Sequence, residues 1–413
     1  MTASNKQRLL WAVLAACLTM FGMTLFTSGA AAVRDFAHLD FYDYWLAARA
    51  LLVGQSPYDG VWADAMATTE GLPFVQGSNY IYAPWLAVVL RPLAMMDPSI
   101  AAGLWFALSA VTMMVIVVRT TADSQWAALP LLLFPPVLFS LFVGQINLLL
   151  LGAVVAGFAL RERRPALAGV LFALAAATKV GPVLLLAVMA AHRRWRLLGA
   201  ALGTLALLAV VGIVGAPGAT TTWIDTVLPS TMAMAPHHGH PANQSVYALL
   251  IRMCAPNQWT TPWVHAPALV PWLARGVAVA MLALLALRIG RRASEGRQSE
   301  PVDAASAITA IVILSPLSWE SSYALLLAPL LWLWRRTQLR PALVGAWLLV
   351  AAQRGLDDFA NHPENHPLLS AAPPLSALAL LGAVVVFAVC VREDRSGLAG
   401  ADRLKTAPGD SDS

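Results

Sequence analysis

The sequence predicts an all-α protein, a polytopic transmembrane bundle of about 10–13 helical spans. The chain of 413 residues is 59% hydrophobic and only 12% charged, which is about half the charged fraction of an average soluble domain. Its mean hydropathy is +0.67. The apolar residues fall into runs of roughly 15 to 25, the length that crosses a hydrocarbon core about 30 Å thick. These observations exclude a water-soluble globular protein.

The apolar runs place the individual spans. Lys6 and Arg8 precede the first run, so we expect the chain to start inside and the first span, about 8–30, to lead outward. Further spans are predicted near residues 82–97, 99–118, 127–143, 145–160, 165–191, 196–214, 267–289, 303–316, 319–335, 341–352 and 371–391. Together they form one integral membrane domain, 1–391, followed by a polar tail, 392–413, that is expected to be disordered and cytoplasmic.

The charge distribution sets the orientation. The net charge is +5, but the basic residues stand in short clusters beside the apolar runs. Such clusters are typical of cytoplasmic loops, so the partner that they indicate is a lipid bilayer and not a nucleic acid. The pairs at 291–292 and 335–336 and Arg392 place three turns inside, which leaves 31–80 and 215–265 as large outer loops.

One region leaves two topologies open. Basic clusters at 161–164 and 192–196 both look cytoplasmic, yet a single apolar run separates them. Either one cluster lies outside, or the run breaks at Lys179-Val180-Gly181-Pro182 and turns back. A broken helix at that depth is tolerated where its free backbone groups face protein or a wet cavity. We favour the break.

The first outer loop is the main reservoir of carboxylates at an outer site, with six of the 22 acidic residues of the chain. Phe41, Tyr44, Trp45 and Ala48 recur in it at helical spacing, which predicts an amphipathic interfacial helix that ends before Gly54. Asp40 and Asp43 lie on this helix. They are either solvated loop acids or a source of a general base that deprotonates a hydroxyl group at the membrane surface.

Other polar residues interrupt apolar runs. Lys179 either snorkels to the interface or neutralises an anionic group such as a phosphate. Gln145 and Asn147 form either a plain turn or a hydrogen-bonding edge for sugar hydroxyls. Arg252 either pairs with a phosphate or lies at the level of the lipid headgroups. The histidines at 237, 238 and 240 match no zinc pattern, so we expect no metal.

In order along the chain, these segments resemble glycosyltransferase family 87, the polyprenol-phosphate-mannose-dependent mannosyltransferases of the GT-C class. The matching pieces are DFYDYWLAARALL at 40–52 with Gly54 and Pro57-Tyr58, Tyr82-Ala83-Pro84, Pro92-Leu93, GQIN at 144–147, Arg163-Arg164-Pro165 with Ala168-Gly169 and Thr178-Lys179, Asn243-Gln244-Ser245, and SPLSWE at 315–320. Each piece is short, and their order across about 280 residues carries the resemblance.

The resemblance implies a GT-C-like fold and transfer of mannose, with inversion, from a polyprenyl-phosphate donor to a glycolipid or glycan acceptor. It implies a catalytic aspartate in the first outer loop, which falls on Asp40, and no cofactor. Lys179 and Arg252 are candidates for the positive field that the departing phosphate needs. The full set of expected substrate-binding residues is Asp43, Tyr44, Tyr82, Gln145, Asn147, Lys179, His240, Asn243, Gln244, Arg252, Trp319 and Glu320.

One departure from the family pattern bears on the sugar. After Ser-Pro-x-Ser-Trp the family usually has an acidic residue and then histidines, whereas Ser321 and Ser322 follow Glu320 here. An arabinofuranosyl donor is therefore the nearest rival to mannose. A transporter or flippase of lipid-linked sugars is a third hypothesis, and a non-catalytic partner in an envelope assembly is a fourth. The expected location is the cell (plasma) membrane, with the active site on the extracytoplasmic side.

Overall fold

A computed structural model of the chain describes residues 39–72, 80–120, 133–232, 236–295, 299–334, 336–360 and 371–405. These residues fold into helices and turns, with no strand in any of those ranges, which confirms the all-α class. The predicted first span, 8–30, lies outside the described residues. Contacts divide the chain into two compact units: residues up to His238 with Pro316–Leu325, and Gly239–Ser315 with residues from Leu326 onward.

The first unit contains helices α1 to α12. Their bounds are α1 Leu39–Leu52, α2 Gly60–Glu70, α3 Pro84–Val89, α4 Arg91–Ala94, α5 Pro98–Thr120, α6 Pro135–Phe142, α7 Asn147–Leu160, α8 Pro165–Thr178, α9 Val183–Ala191, α10 Trp195–Gly215, α11 Ala219–Thr222 and α12 Leu228–Met232. A π-helical turn, Trp223–Val227, connects the last two.

The second unit contains the later helices. Their bounds are α13 Val246–Cys254, α14 Val270–Ser294, α15 Glu300–Leu314, α16 Leu327–Trp334, α17 Arg340–Ala360 and α18 Leu378–Lys405. Across the two units, short 3-10 helices cover Pro236–Gly239, Pro267–Leu269, Glu320–Leu326 and Pro373–Ala377. Helix α18 runs on to Lys405 where we expected a disordered tail from residue 392.

Within the described residues, four segments are long and apolar enough to cross a membrane: Pro98–Arg119, Trp195–Gly215, Pro267–Ser294 and Pro373–Glu393. Other predicted spans contain helices shorter than a membrane crossing. Helix α7, for example, has 14 residues and is therefore about 21 Å long, less than the hydrocarbon thickness. The expected total of about 10–13 spans stays a prediction.

The two basic clusters around α8 and α9 lie on the same side of the first unit. Arg194 Nη1 donates a hydrogen bond to Glu162 Oε2 at 3.0 Å, and Arg194 Nη2 donates to the other oxygen of the same carboxylate. The apolar run between the clusters must therefore go out and return, and α8 and α9 are indeed separated at residues 179–182. This confirms the predicted break at Lys179-Val180-Gly181-Pro182.

Helix α8 approaches α10 closely because residue 169 is glycine. A Cβ atom at Gly169 would lie 2.2 Å from the backbone oxygen of Leu197 and 3.1 Å from the Cβ of Ala200. No side chain fits there unless the two helices separate. This contact fixes one arm of the hairpin that carries Lys179.

We expect Gly169→Ala to lower the free energy of unfolding by about 1–3 kcal/mol, because overpacking forces backbone shifts. Gly199→Ala on α10 is the matched control, since a Cβ there meets nothing within 4 Å and alanine favours the helix. Thermal denaturation in detergent measures both variants. Equal midpoints for the two variants would argue against the close approach.

Candidate active site

The start of α1 is held against the turn that follows α6. The backbone N–H of Asp40 donates to the carbonyl of Val143 at 3.0 Å, and Trp105 Nε1 donates to the carbonyl of Gly144 at 2.7 Å. Gly144 has a φ of +73°, a conformation that favours glycine. The GQIN turn and the first residues of α1 are thereby brought together.

Helix α1 is buried more completely than an amphipathic interfacial helix. Phe41, Tyr44, Trp45 and Ala48 are buried as we expected, but so are the intervening residues Leu46 and Ala47. The helix thus contacts protein on most of its circumference, and its position in the membrane interface stays a prediction. Its end is as predicted, because it stops at Leu52 just before Gly54, whose φ is +76°.

Asp40 lies at the centre of the candidate site and is half-buried. Burial raises the pKa of its carboxyl group from 3.8 to about 6, against the opposing effects of a hydrogen bond from Gln145 and the positive charge of Lys179. The carboxylate is therefore ionised at neutral pH but more basic than an ordinary aspartate. Those are the properties of a general base that works near neutral pH.

Gln145 is oriented by two tyrosines. Tyr44 donates its hydroxyl hydrogen to Gln145 Oε1 at 3.1 Å, and the Tyr82 hydroxyl lies 3.1 Å from that of Tyr44 and 3.5 Å from the same oxygen. With its oxygen accepting from tyrosine, the amide presents its N–H group to Asp40. Three residues that the sequence predicted separately thus form one network.

Lys179 comes to Asp40 at the tip of the α8–α9 hairpin. It follows directly after α8, and its backbone N–H still donates to the carbonyl of Ala175 at 3.1 Å. Trp85 Nε1 donates to the carbonyl of Ala177 at 3.1 Å and anchors the tip. The positive charge of Lys179 thus acts on Asp40, and its role in neutralising an anionic group stays a prediction.

Asn147 and Asp43 lie next to this network. Asn147 is fully buried at the start of α7, and neither atom of its side-chain amide has a hydrogen-bond partner among the described residues. An unsatisfied buried amide is costly, which makes it a candidate to bind a polar substrate group. Asp43 is one turn beyond Asp40 on α1, and the two carboxylates both raise the pKa of Tyr82, after the larger effect of burial.

The remaining predicted residues of the second unit bind its own backbone. Arg252 is fully buried, and its Nη1 donates to the carbonyls of Gly239, His240 and Asn243 at 3.0–3.3 Å. Gln244 donates to Ser376 O at 2.8 Å. These hydrogen bonds hold the backbone of this unit together, and the pairing of Arg252 with a phosphate stays a prediction.

His240 and Asn243 contribute to the same network of backbone hydrogen bonds. His240 Nδ1 accepts from the backbone N–H of Ala242 at 3.0 Å, and its ring packs edge-on against Trp259 at 5.2 Å. Burial and the charge of Arg252 lower the pKa of His240. Asn243 Oδ1 accepts from the backbone of Ser245 at 3.3 Å. Substrate binding by these two residues remains a prediction.

Trp319 and Glu320 lie in Pro316–Leu325, the later segment of the chain that belongs to the first unit. Glu320 is buried, whereas Trp319 is partly exposed. Ser140 Oγ donates to the carbonyl of Ser321 at 2.9 Å, which ties this segment to α6 shortly before Gln145. Their predicted contact with substrate is not tested by this placement. Across the described ranges, no group of three or more His, Cys, Asp or Glu side chains is arranged to hold a metal ion.

Two positioning residues were missed at the sequence level. Trp105 holds the GQIN turn and packs against Tyr44 at 5.6 Å between ring centroids, and Trp85 anchors the tip that carries Lys179. Both tryptophans look like membrane-interface anchors in the sequence. The pairing of Trp105 with a glycine 39 residues away leaves no local signal.

The site itself predicts a stability effect. Asp40 has a pKa of about 6 when folded and about 3.8 when unfolded, so the folded chain binds more protons between these values and its stability falls as pH rises through them. We expect Asp40→Asn to stabilise the protein at pH 7 by roughly 1–3 kcal/mol. The gain should vanish below about pH 4, where the wild-type carboxyl is also neutral. Thermal denaturation across pH measures it, and a destabilised variant at pH 7 would contradict it.

The site thus combines a carboxylate of raised pKa with a neighbouring cation, in a helical protein with segments long and apolar enough to cross a membrane. The family model of glycosyltransferase family 87 matches residues 80–317, more than half of the chain. The chain belongs to this family and is a membrane glycosyltransferase. Gln145 and Lys179 lie within the matched segment, and Asp40 precedes it. No curated protein matches the chain.

Proposed function

We propose that this glycosyltransferase transfers a hexose, mannose, from a polyprenyl-phosphate donor to a glycolipid or glycan acceptor at the outer face of the cell membrane. Asp40 acts as the general base, and the anomeric carbon is inverted. The observation that carries the proposal is the single constellation of Asp40, Gln145 and Lys179, in which a carboxylate of raised pKa faces a cation.

The proposed reaction forms one bond and breaks one. The acceptor oxygen attacks the anomeric carbon from the face opposite the phosphate while Asp40 takes the hydroxyl proton. The bond between the anomeric carbon and the phosphate oxygen breaks, and the polyprenyl phosphate leaves with the electron pair. Lys179 stabilises the negative charge that develops there, and Gln145 holds the carboxylate in place.

The hairpin supports the outer location. The two ends of the hairpin carry the basic clusters that are joined by the ion pair of Glu162 and Arg194. Such clusters stay in the cytoplasm. Helix α8 has 14 residues, so Lys179 at the tip lies about 21 Å further across the bilayer. That distance supports a position of Lys179, and of Asp40 beside it, toward the outer face of the bilayer.

The test uses purified protein in lipid nanodiscs with a membrane lipid extract as acceptor. Radiolabelled polyprenyl-phosphate-mannose and the corresponding arabinofuranose donor are supplied in parallel. We expect label in a glycolipid or glycan product from the mannose donor only. Transfer from the arabinose donor alone would correct the sugar, in line with Ser321 and Ser322 in place of histidines. Transfer from neither donor would overturn the proposal.

A further inference from the structure

The turn between α9 and α10 has a strained backbone at an arginine. Among the described residues, Arg193 is the one non-glycine residue in the left-handed region, with a φ of +57°. Its backbone N–H donates to the carbonyl of Ala190 at 2.9 Å, and that of Arg194 donates to Met189 O at 3.0 Å. This pair of hydrogen bonds ends a helix at a position that is usually glycine, because a Cβ atom is unfavourable there. An exposed arginine at this position therefore suggests a function for its side chain.

The same turn places positive charge at the start of α10, where the helix dipole disfavours it. Arg194 is the N-cap residue and Arg196 is the second residue of the helix, and no side chain caps this end. A helix N-terminus is stabilised by negative charge. The neighbouring carboxylate of Glu162 does not serve the helix, because both of its oxygens accept from the Arg194 guanidinium. The start of α10 is thus suited to an anion from outside the chain.

Three exposed arginines stand at this end of α10. Arg193 and Arg196 flank its first residue, and Arg163 comes from the α7–α8 turn, which the ion pair of Glu162 and Arg194 holds beside it. Within the described ranges, none of these three guanidinium groups forms an ion pair. The two turns together hold six arginines and one glutamate. Their combined surface is therefore complementary to an anionic ligand.

A second helix start lies next to that of α10. Gly169 is the fifth residue of α8 and packs against Leu197, the third residue of α10, since a Cβ atom at Gly169 would lie 2.2 Å from Leu197 O. Helix α8 also begins without a side-chain cap. Neighbouring helix N-termini with unsatisfied N–H groups favour phosphate, and the planar fork of an arginine guanidinium matches phosphate oxygens. The ligand chemistry that fits this surface is therefore a phosphate group.

Trp195 indicates that the phosphate belongs to a lipid. It is the first residue of α10, a segment long and apolar enough to cross a membrane, and it is 67% exposed. Leu202, Val210 and Ile213 further along the helix are exposed as well, as in a helix that faces acyl chains. A tryptophan at the start of such a helix lies at the level of the lipid headgroups. The adjacent arginines repel the cationic amines of zwitterionic headgroups and favour anionic ones.

We propose that the surface formed by Arg163, Arg193, Trp195 and Arg196 binds an anionic phospholipid headgroup of the cytoplasmic leaflet. The arginines bind the headgroup phosphate, and the bound lipid supplies the negative charge that stabilises the start of α10. This site lies at the opposite end of α8 from Lys179. The inference therefore does not rest on the proposed function, and its test needs no sugar transfer.

Native mass spectrometry of the full-length protein, purified in a neutral detergent and stripped of lipid, measures headgroup binding. The probes are dioleoylphosphatidylglycerol and dioleoylphosphatidylcholine, which have the same acyl chains. We expect saturable binding of the anionic lipid only, weakened about fivefold in each of Arg163→Gln and Arg196→Gln, the contribution of one basic residue near an anionic surface. Arg119→Gln, at an exposed arginine in the last turn of α5, is the matched control and should bind like the wild type. Equal binding of the two lipids, or wild-type binding in both glutamine variants, would overturn the inference.

Inorganic phosphate and glycerol 3-phosphate distinguish a lipid from a soluble anion. Each is added to the complex with phosphatidylglycerol at the concentration of the lipid. We expect neither compound to displace the lipid, because neither has acyl chains that lie along α10. Displacement by either one would assign the surface to a soluble phosphate and overturn the lipid assignment.

Arg193→Gly separates a binding role from a structural one. In detergent without lipid, this variant should melt at a higher temperature than the wild type, because glycine adopts the left-handed conformation without strain. It should nevertheless bind phosphatidylglycerol about fivefold more weakly, whereas Arg193→Lys keeps the charge and most of the affinity. A wild-type affinity in Arg193→Gly, or a lower melting temperature, would contradict the inference. If a glutamine variant does not fold, the stabilised Arg193→Gly decides alone.

Discussion

Asp40→Asn and Asp40→Ala should each lower the rate of sugar transfer by about 100-fold to 10,000-fold, the range that a general base contributes. Neither variant has a side chain at this position that can take the proton from the hydroxyl group of the acceptor at neutral pH. The asparagine amide keeps the shape of the side chain and its hydrogen bond from Gln145. Initial rates at saturating donor and acceptor, measured at pH 7.5, give the effect on kcat.

The control for this experiment is Asp225→Asn, because Asp225 is an exposed carboxylate on the π-helical turn. It should transfer sugar at the wild-type rate. Misfolding does not explain a loss in Asp40→Asn if that variant is the more stable protein at pH 7, as its buried carboxylate predicts. Equal rates in wild type and Asp40→Ala would remove Asp40 from the mechanism.

The hairpin of α8 and α9 shows how much of the fold the sequence predicts. Two basic clusters at either end of one apolar run require a return to the same side, and Gly181-Pro182 marks where a helix is easily broken. Both signals are local in the sequence, and the contact between Arg194 and Glu162 agrees with them. Span boundaries and interruptions follow from such patterns because bilayer thickness and helix geometry impose them.

The environment of α1 was less accessible from sequence. Helical spacing identified the element and its end at Gly54, but it also suggested a surface helix with one polar face. In the structure Trp105 packs against Phe41 and Tyr44 of this helix, and Val143, just before the GQIN turn, accepts from the backbone N–H of Asp40. Their positions in the chain are about 60 and 100 residues away, so no pattern within the helix reveals them.

Residues of the same type divided between site and scaffold for a similar reason. Gln145 and Gln244 are both amides in short polar motifs, yet one faces a carboxylate and the other donates to Ser376, 132 residues along the chain. The sequence predicts that Arg252 pairs with a phosphate, whereas in the structure its Nη1 donates to three backbone carbonyls. Long-range contacts determine which polar side chains hydrogen-bond to the backbone, and the residues of a short motif do not predict those contacts.

Lys179→Gln is expected to lower kcat by about 100-fold to 1,000-fold and to raise the donor KM, since removal of one positioned group that stabilises developing negative charge costs about that much. Arg164→Gln is the matched control, because Arg164 is an exposed cation at the opposite end of α8. Steady-state kinetics with varied donor measure both variants. A wild-type donor KM and kcat in Lys179→Gln would exclude contact with the phosphate.

The pH dependence of the residual activity of Lys179→Gln gives a second, independent test. The positive charge of Lys179 lowers the pKa of Asp40, which still stands at about 6 because burial outweighs it. Wild-type kcat/KM should therefore fall as pH drops through about 6, where Asp40 gains a proton and can no longer act as base. Without the cation, the pKa of Asp40 rises and the acid limb of the profile must move to higher pH. An acid limb that stays in place or moves to lower pH would mean that Lys179 does not influence the pKa of Asp40. That result would contradict the proposed roles of Asp40 as base and Lys179 as cation.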